Sequence, residues 1–326
     1  MNTPPLVSFV VLCYNTEPYV ADCIDSILGM QGGYSFEVIV VEDCSPDGTR
    51  EVLRRFQDPR LRIIEHERNR GHIFGIEEGL RAVRGQYVAR IDSDDRYRPH
   101  FLERTVPLLE RYPDVGMVYG DAALIDARGQ QTAPASDSHH GGRDFKGNEL
   151  AELLCRNFVC APTVIGRTDL WRKHLPVREG LAFSDWYFSL LIAREADFYF
   201  VSEVLADYRV HGGNLHTRTI RDRTEEPSIV WMLDKIFSMP EADPARELAK
   251  RGVQHRAYAT HYWTLAEKYF GAGMNADARR CYWQAIRHQP ARLRSPLFWR
   301  RLPATWMSRE TYERCKRWLR PGSAPA

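Results

Sequence analysis

The feature that most constrains this chain is an alternation repeated along its first hundred residues: a short apolar run, a polar loop, then apolar residues at helical spacing. Leu6 to Leu12 is an almost continuous apolar run, which reads as a strand buried on both faces. Cys13-Tyr14-Asn15-Thr16 ends it, and Val20, Ile24, Ile27 and Leu28 then recur at helical spacing before Gly32-Gly33. Phe36 to Val41, Leu61 to Glu65 and Tyr87 to Ile91 begin the next units. Strands and helices alternating this closely predict a parallel sheet with right-handed crossovers and helices on both faces. Loops at the carboxyl ends of such strands gather on one rim, where open α/β sheets bind ligands. Tyr14, Asp43, Arg70 and the acids after Ile91 are therefore expected within reach of a single ligand.

The acids carry the chemistry. Asp92, Asp94 and Asp95 fall within four residues at the end of a buried strand, before Pro99 opens a helical pattern. Carboxylates this close repel and raise one another's pKa unless something positive neutralises them. A cluster of hard oxygens suits Mg²⁺ or Mn²⁺, ions that keep waters and also take oxygens from a substrate phosphate. No GxGxxG links a strand to a helix, which argues against a dinucleotide site. Asp43 has a second reading as a cap for the helix beginning near Pro46, and Tyr14 one as a half-buried core aromatic. Asp47 reads as a cap or Asx-turn residue.

Composition narrows the partners. Forty-five basic and 43 acidic residues leave a net charge of +2, so no global field marks a nucleic-acid binder. Seven scattered cysteines without CxxC spacing suit a reducing cytosol better than a disulfide framework or a zinc site. The N-terminus lacks a basic n-region and no apolar run reaches spanning length, which predicts a cytoplasmic protein, soluble or peripheral at the membrane.

Four segments in order carry a resemblance: Val-Val-Leu-Cys-Tyr-Asn-Thr (10–16), Val-Val-Glu-Asp-Cys-Ser-Pro-Asp-Gly-Thr (40–49), Asn-Arg-Gly (69–71) and Ile-Asp-Ser-Asp-Asp (91–95). Together they resemble glycosyltransferase family 2, inverting enzymes of the GT-A nucleotide-diphospho-sugar transferase fold. The resemblance implies that Asp43 receives the nucleobase and that Tyr14 lies against it. It also implies that Asp92 and Asp94 hold ribose and metal, with Asp94 or the adjacent Asp95 as the metal ligand. An aspartate at a strand end can accept the imide N–H of uracil, and an aromatic supplies a stacking face.

Residues 1–214 are expected to form this α/β domain, with a donor half to about residue 100 and an acceptor half beyond it. Leu102, Val106, Leu109 and Tyr112 mark a helix ending before Pro113, and Val115 to Tyr119 a strand. Gln130 to Gly147 has little apolar content and predicts a surface loop that packs no core. Within it, His139-His140 reads as a solvated pair without partner acids at ligand spacing. Ser184 looks like a helix N-cap that places Asp185 in the first turn. The family carries an acid-Asp-aromatic motif here, which by resemblance makes Asp185 the general base; Ser184 stands where the motif has an acid. Phe198 to Val201 and Val204 to Tyr208 read as strands. Past them, the resemblance puts His211 near diphosphate and metal, and Arg218 lies on a basic segment able to grip phosphate.

Residues 215–326 read as helical, and 259–292 resemble one tetratricopeptide-like pair, with Tyr262, Leu265, Ala266, Tyr269, Ala278, Tyr282, Ala285 and Pro290 at its apolar and breaker positions. The tail, 297–319, mixes Trp with Arg, which suits either an interfacial helix on an anionic membrane or a surface helix docked by its aromatic face. The expected activity is metal-dependent transfer of a sugar from a nucleotide-diphospho-sugar, UDP-linked, to a glycan or lipid-linked acceptor hydroxyl in cell-surface glycan synthesis. A sugar nucleotidyltransferase is one rival, although Cys13 to Pro18 lacks the Gly-rich basic loop it would need. A non-catalytic scaffold using the helical tail is the other.

Overall fold

The alternating units fold as the apolar runs demand. In the computed structural model, which describes residues 4–134, 139–212, 219–307 and 311, β1 (Val7–Cys13) is buried at every residue but Leu12, which is partly exposed. It is flanked in parallel by β2 (Phe36–Glu42), with Val7 opposite Phe36 and Cys13 opposite Glu42. On its other side lies β4 (Tyr87–Asp92), from Val7 opposite Tyr87 to Leu12 opposite Asp92. β3 (Leu61–Glu65) extends the parallel set beyond β2. Helix α1 (Val20–Leu28) turns Val20, Cys23, Ile24 and Ile27 inward. Helix α3 (His72–Ala82) approaches so closely that a Cβ on Gly79 would collide with Val10. The short α2 (Thr49–Leu53) comes after β2.

Past β4 the sheet is mixed. Its order is β3-β2-β1-β4-β9-β6-β10-β5, where β5 is Arg96–Tyr97, β6 is Val115–Ile125, β9 is Ile165–Arg167 and β10 is Asp197–Arg209. β9 runs antiparallel to both β4 and β6, whereas β6 and β10 are parallel. The two strands expected over 198–208 are one strand, β10, interrupted by register shifts between Val201 and Ala206. Through those irregularities β10 pairs with β6 from end to end, and its other edge takes β5, directly after the acids. α4 (Phe101–Arg111) buries Phe101, Leu102, Val106 and Leu109, and α7 (Ser184–Ala193) is buried almost all round. This is the GT-A architecture: a central sheet flanked by helices, with further helices toward the C-terminus.

In the predicted surface loop, 130–147, the described residues, 130–134 and 139–147, are more structured than their composition suggests. β7 (Gln131–Ala133) pairs with β6, and β8 (Phe145–Gly147) pairs with β10. His139 stacks on Phe158 with ring centroids 3.9 Å apart, and His140 stacks on Phe145 at 4.4 Å. Aromatic and imidazole faces supply the packing that the missing aliphatics do not.

The chain divides into two compact units, one of residues 1–153 and 157–214, the other of 154–156 and 215–326. The second is helical: α8 (Glu225–Ser238), α9 (Pro244–Gly271), α10 (Asn275–His288) and α11 (Pro296–Ala304). Asp243 caps α9 by accepting from the Ala245 amide at 2.8 Å, and Pro244 takes the first helical position, where it needs no N–H partner. α9 and α10 make the helical pair, with Ala266, Ala278 and Ala285 fully buried so the backbones can approach. Phe237 of α8 stacks on Tyr258 of α9 at 5.7 Å, and Phe298 of α11 is buried against Tyr282 and Trp263. Among the described residues no helix is long and apolar enough to cross a membrane.

Candidate active site

The rim is built from turns locked to one another. After β1 and β2 the chain bends through left-handed residues, Asn15 at φ 57° and Cys44 at φ 59°. Glu42, fully buried, accepts from the Cys44 and Ser45 amides at 3.2 and 2.6 Å and from Arg50 Nε at 2.5 Å. The Asn15 amide donates to Ser45 Oγ at 3.0 Å, tying the two turns together. Tyr14 stands between them, 49% exposed, so it is no core aromatic. Asp47 bonds the Thr49 and Glu17 amides, as an Asx-turn residue should.

Asp43 is the hub of a second set of bonds. Its Oδ1 accepts from His66 Nδ1 and the Arg70 amide, both at 2.7 Å, and its Oδ2 from the Gly71 amide at 2.8 Å. Gly71, at φ 87°, adopts a conformation that L side chains rarely take, which turns its N–H toward the carboxylate. Burial acts to lower the pKa of His66, yet bonds to Asp43 and Glu78 hold it above the usual value. Asp43 thus shapes the loop that leads into α3, and Oδ2 keeps a lone pair for a further donor. The exposed Arg70 side chain lies over the Phe74 ring, its guanidinium carbon 3.0 Å from the centroid.

The three acids are not equivalent. The Asp92 side chain is 42% exposed and meets Arg90 at 3.5 Å. Asp94 is largely covered, and its Oδ2 lies 2.9 Å from His211 Nε2. Asp95 is 2% exposed and accepts from the Arg209 amide at 2.7 Å. Burial first and the charge of Asp92 second push the Asp94 carboxyl above its ordinary range. Burial and then Asp94 push Asp95 well above it. Besides Arg90, the local positive charge is Arg209, itself 1% exposed, whose Nε donates to the Asp94 carbonyl at 2.7 Å and whose Nη2 lies 3.4 Å from Asp22. Asp94 and His211 are adjoining oxygen and imidazole donors beside carboxyls short of positive charge. That set fits a Mn²⁺- or Mg²⁺-type ion completed by water and phosphate oxygens.

Asp185 lies in the first turn of α7, but Ser184 is not the cap. The N-cap is Phe183, and Ser184 is already helical, with a buried Oγ that finds no hydrogen-bond partner. His72, the first residue of α3, was not singled out by any motif. Its Nε2 lies 3.2 Å from Arg90 Nη1, and burial first, then the Arg90 charge, lower its pKa. The charges of Asp92, Asp185 and Asp43 all act on this imidazole in the opposite direction. No sequence motif marks His72 or Arg209 as part of the rim. Arg209 left one clue, an arginine inside an otherwise strand-like run two residues before His211. Arg218 lies outside the described residues.

Comparison with known proteins bears on the family and the fold. Residues 8–166 match the family model for glycosyl transferase family 2. The putative teichuronic acid biosynthesis glycosyltransferase TuaG of Bacillus subtilis is 36% identical over 258 residues, covering 78% of this chain and 99% of that protein. Among solved structures, Staphylococcus aureus TarS 1-349 in complex with UDP-GlcNAc superposes with a TM-score of 0.66 at 16% identity, covering 97% of this chain and 93% of that one. The mannosyltransferase PcManGT of Pyrobaculum calidifontis, in complex with GDP-Man and Mn²⁺, gives 0.60 at 20% identity over 97% and 83%. The strand-end motifs, the sheet they terminate and the full-length match to TuaG lead to one conclusion: this chain belongs to glycosyl transferase family 2 and has the GT-A fold.

Proposed function

We propose that this glycosyltransferase inverts the anomeric centre as it moves a sugar from a UDP-sugar to an acceptor hydroxyl, in the assembly of a cell-surface glycan. The observation that carries the reading is the convergence on the rim: Asp92, Asp94 and His211 meet at the end of β4, and Asp185 shares the field of His72 with Asp92. The UDP-GlcNAc complex of TarS supports a UDP-linked donor, and the teichuronic acid role in TuaG's name supports a glycan or lipid-linked acceptor.

In this reading Tyr14 offers its exposed face to the base, and the open lone pair of Asp43 accepts the imide N–H. Arg70 and Arg218 meet the diphosphate. Asp92 takes the ribose. Asp94 and His211 would hold the divalent cation, whereas Asp95, sealed against β10, keeps Arg209 in place. When bound, the cation offsets charge that develops on the departing diphosphate. Asp185 takes the proton of the acceptor hydroxyl. The freed oxygen bonds to the anomeric carbon from the face opposite the diphosphate, and the carbon–oxygen bond to the diphosphate breaks in the same displacement. Trp299 and Trp306, exposed in and just after α11, support a peripheral contact with an anionic membrane at its cytoplasmic face.

A screen of nucleotide sugars, read by release of the nucleoside diphosphate, identifies the donor. Asp185→Asn then tests the base: turnover should fall by about 10² to 10⁴, while calorimetric UDP binding in the presence of Mn²⁺ stays unchanged. An Asn variant that remains active removes Asp185 from that role.

A further inference from the structure

We propose that His139, His140 and Glu149 form a second metal site, of zinc type, that shares no residue with the strand-end rim. Their ligand atoms all lie within 4.8 Å of one another, and His140 Nε2 is 2.7 Å from Glu149 Oε1. Donors bound tetrahedrally to zinc at about 2.0–2.2 Å stand about 3.3 Å apart. Small rotations of three side chains therefore reach that spacing. The His140 and Glu149 side chains are 11% and 3% exposed, so a bound ion would be held away from bulk water. Two imidazoles with one carboxylate favour zinc over the all-oxygen sites of magnesium and calcium.

The surroundings hold these rings in place. His140 stacks on Phe145 with 8° between the planes, and His139 on Phe158 with 17°. The Tyr119 hydroxyl, on β6, lies 2.9 Å from His140 Nε2 and 3.1 Å from Glu149 Oε1. It is placed to orient the carboxylate or a metal-bound water, the outer-shell role that ligating side chains commonly need.

The consequence is structural. The pair His139-His140, from a segment with almost no aliphatic content, would be stapled to the residue that precedes α5 (Leu150–Cys155) and to the middle of β6. A bound ion would supply the ordering that a sparse core cannot. A hydrogen-bonded knot that needs no ion is the competing account.

The test uses the purified full-length chain, stripped with EDTA and titrated with Zn²⁺ alone, alongside Co²⁺ as a visible-absorption probe. Wild type should bind one zinc at this site and give the intense absorption of four-coordinate cobalt, and Asp94→Asn should keep both. Glu149→Gln and His139→Gln should each weaken zinc binding by about 100-fold. His139→Gln leaves the bonds among His140, Glu149 and Tyr119 intact, and a thermal melt of the same sample verifies folding. A wild-type chain that takes up no zinc overturns the proposal. So does zinc binding that survives His139→Gln but is lost in Asp94→Asn.

Discussion

Two of the histidine–carboxylate pairs in the first unit, His211 with Asp94 and His140 with Glu149, sit in different surroundings, and the difference separates chemistry from architecture. At the rim, His211 meets Asp94 beside two further acids and a buried arginine, with Asp92 open to solvent. In the aromatic pocket, His140 meets Glu149 among stacked rings, and the Tyr119 phenol is the polar partner that the two share. At the rim, burial acts on acids that also raise one another's pKa, while Asp92 stays open to solvent. In the pocket, burial raises Glu149 and lowers His140, favouring the neutral form of each. One residue pair does both jobs because the local dielectric and the neighbouring charges decide which protonation state is cheapest.

Removing Arg209 should break the comparison most severely, by taking away one of the two buried arginines beside the rim acids. Arg209→Met is expected to cost about 3–5 kcal/mol of stability, the usual result of orphaning a buried charge. A denaturant midpoint that falls in EDTA and partly recovers with Mn²⁺ would show that the acids, and not lost packing alone, are responsible. An unchanged midpoint would mean that the rim tolerates its charge unaided.

The pocket should reveal itself through pH. Glu149 has a folded pKa of about 7 against an ordinary 4.5, so it binds its proton more tightly when folded. Its contribution is fully present below pH 4.5 and is lost as pH rises toward and through 7. His140, lowered from 6.5 to about 4, has the opposite sign: its contribution is present above pH 6.5 and lost as pH falls through 4. In metal-free buffer the two trends offset one another. The advantage of wild type over Glu149→Gln should therefore shrink by up to about 3 kcal/mol between about pH 4.5 and about pH 8, read from urea unfolding at a series of pH values. A constant difference would show that Glu149 keeps its ordinary pKa.

The smallest effect belongs to Tyr14, which sharpens the contrast from the ligand's side. Half exposed at the end of β1, it contributes little to the core. Tyr14→Ala should leave the melting temperature unchanged and weaken UDP binding by about 1–2 kcal/mol, the scale of one aromatic–base stack. Equal affinity for both forms would take Tyr14 out of the nucleotide site.

Much of this was legible along the chain. The parallel order of β1, β2, β3 and β4 comes from apolar runs alternating with helical periodicity, because burial on two faces leaves strands few polar positions. The acids after Ile91 announced themselves by position. Other features were hidden. Ser184 has the residue type of a cap yet lies one position inside α7, since tertiary packing as well as residue type fixes where a helix begins. Residues 130–147 looked unable to pack because composition counts aliphatics and does not foresee imidazole stacked on phenylalanine.

The sequence by itself determined the local periodicities, the order of strand-end motifs and hence the family, since all of these are written in neighbouring residues. Only the tertiary structure decided which groups face one another: Asp95 with Arg209, Asp94 with His211, His72 with Arg90, and Glu149 with His140. The first two of these pairs join residues more than a hundred positions apart. They meet because β10 pairs with β6 through an irregular register on one edge and with β5 on the other, a pairing set by the whole sheet and by no segment of it.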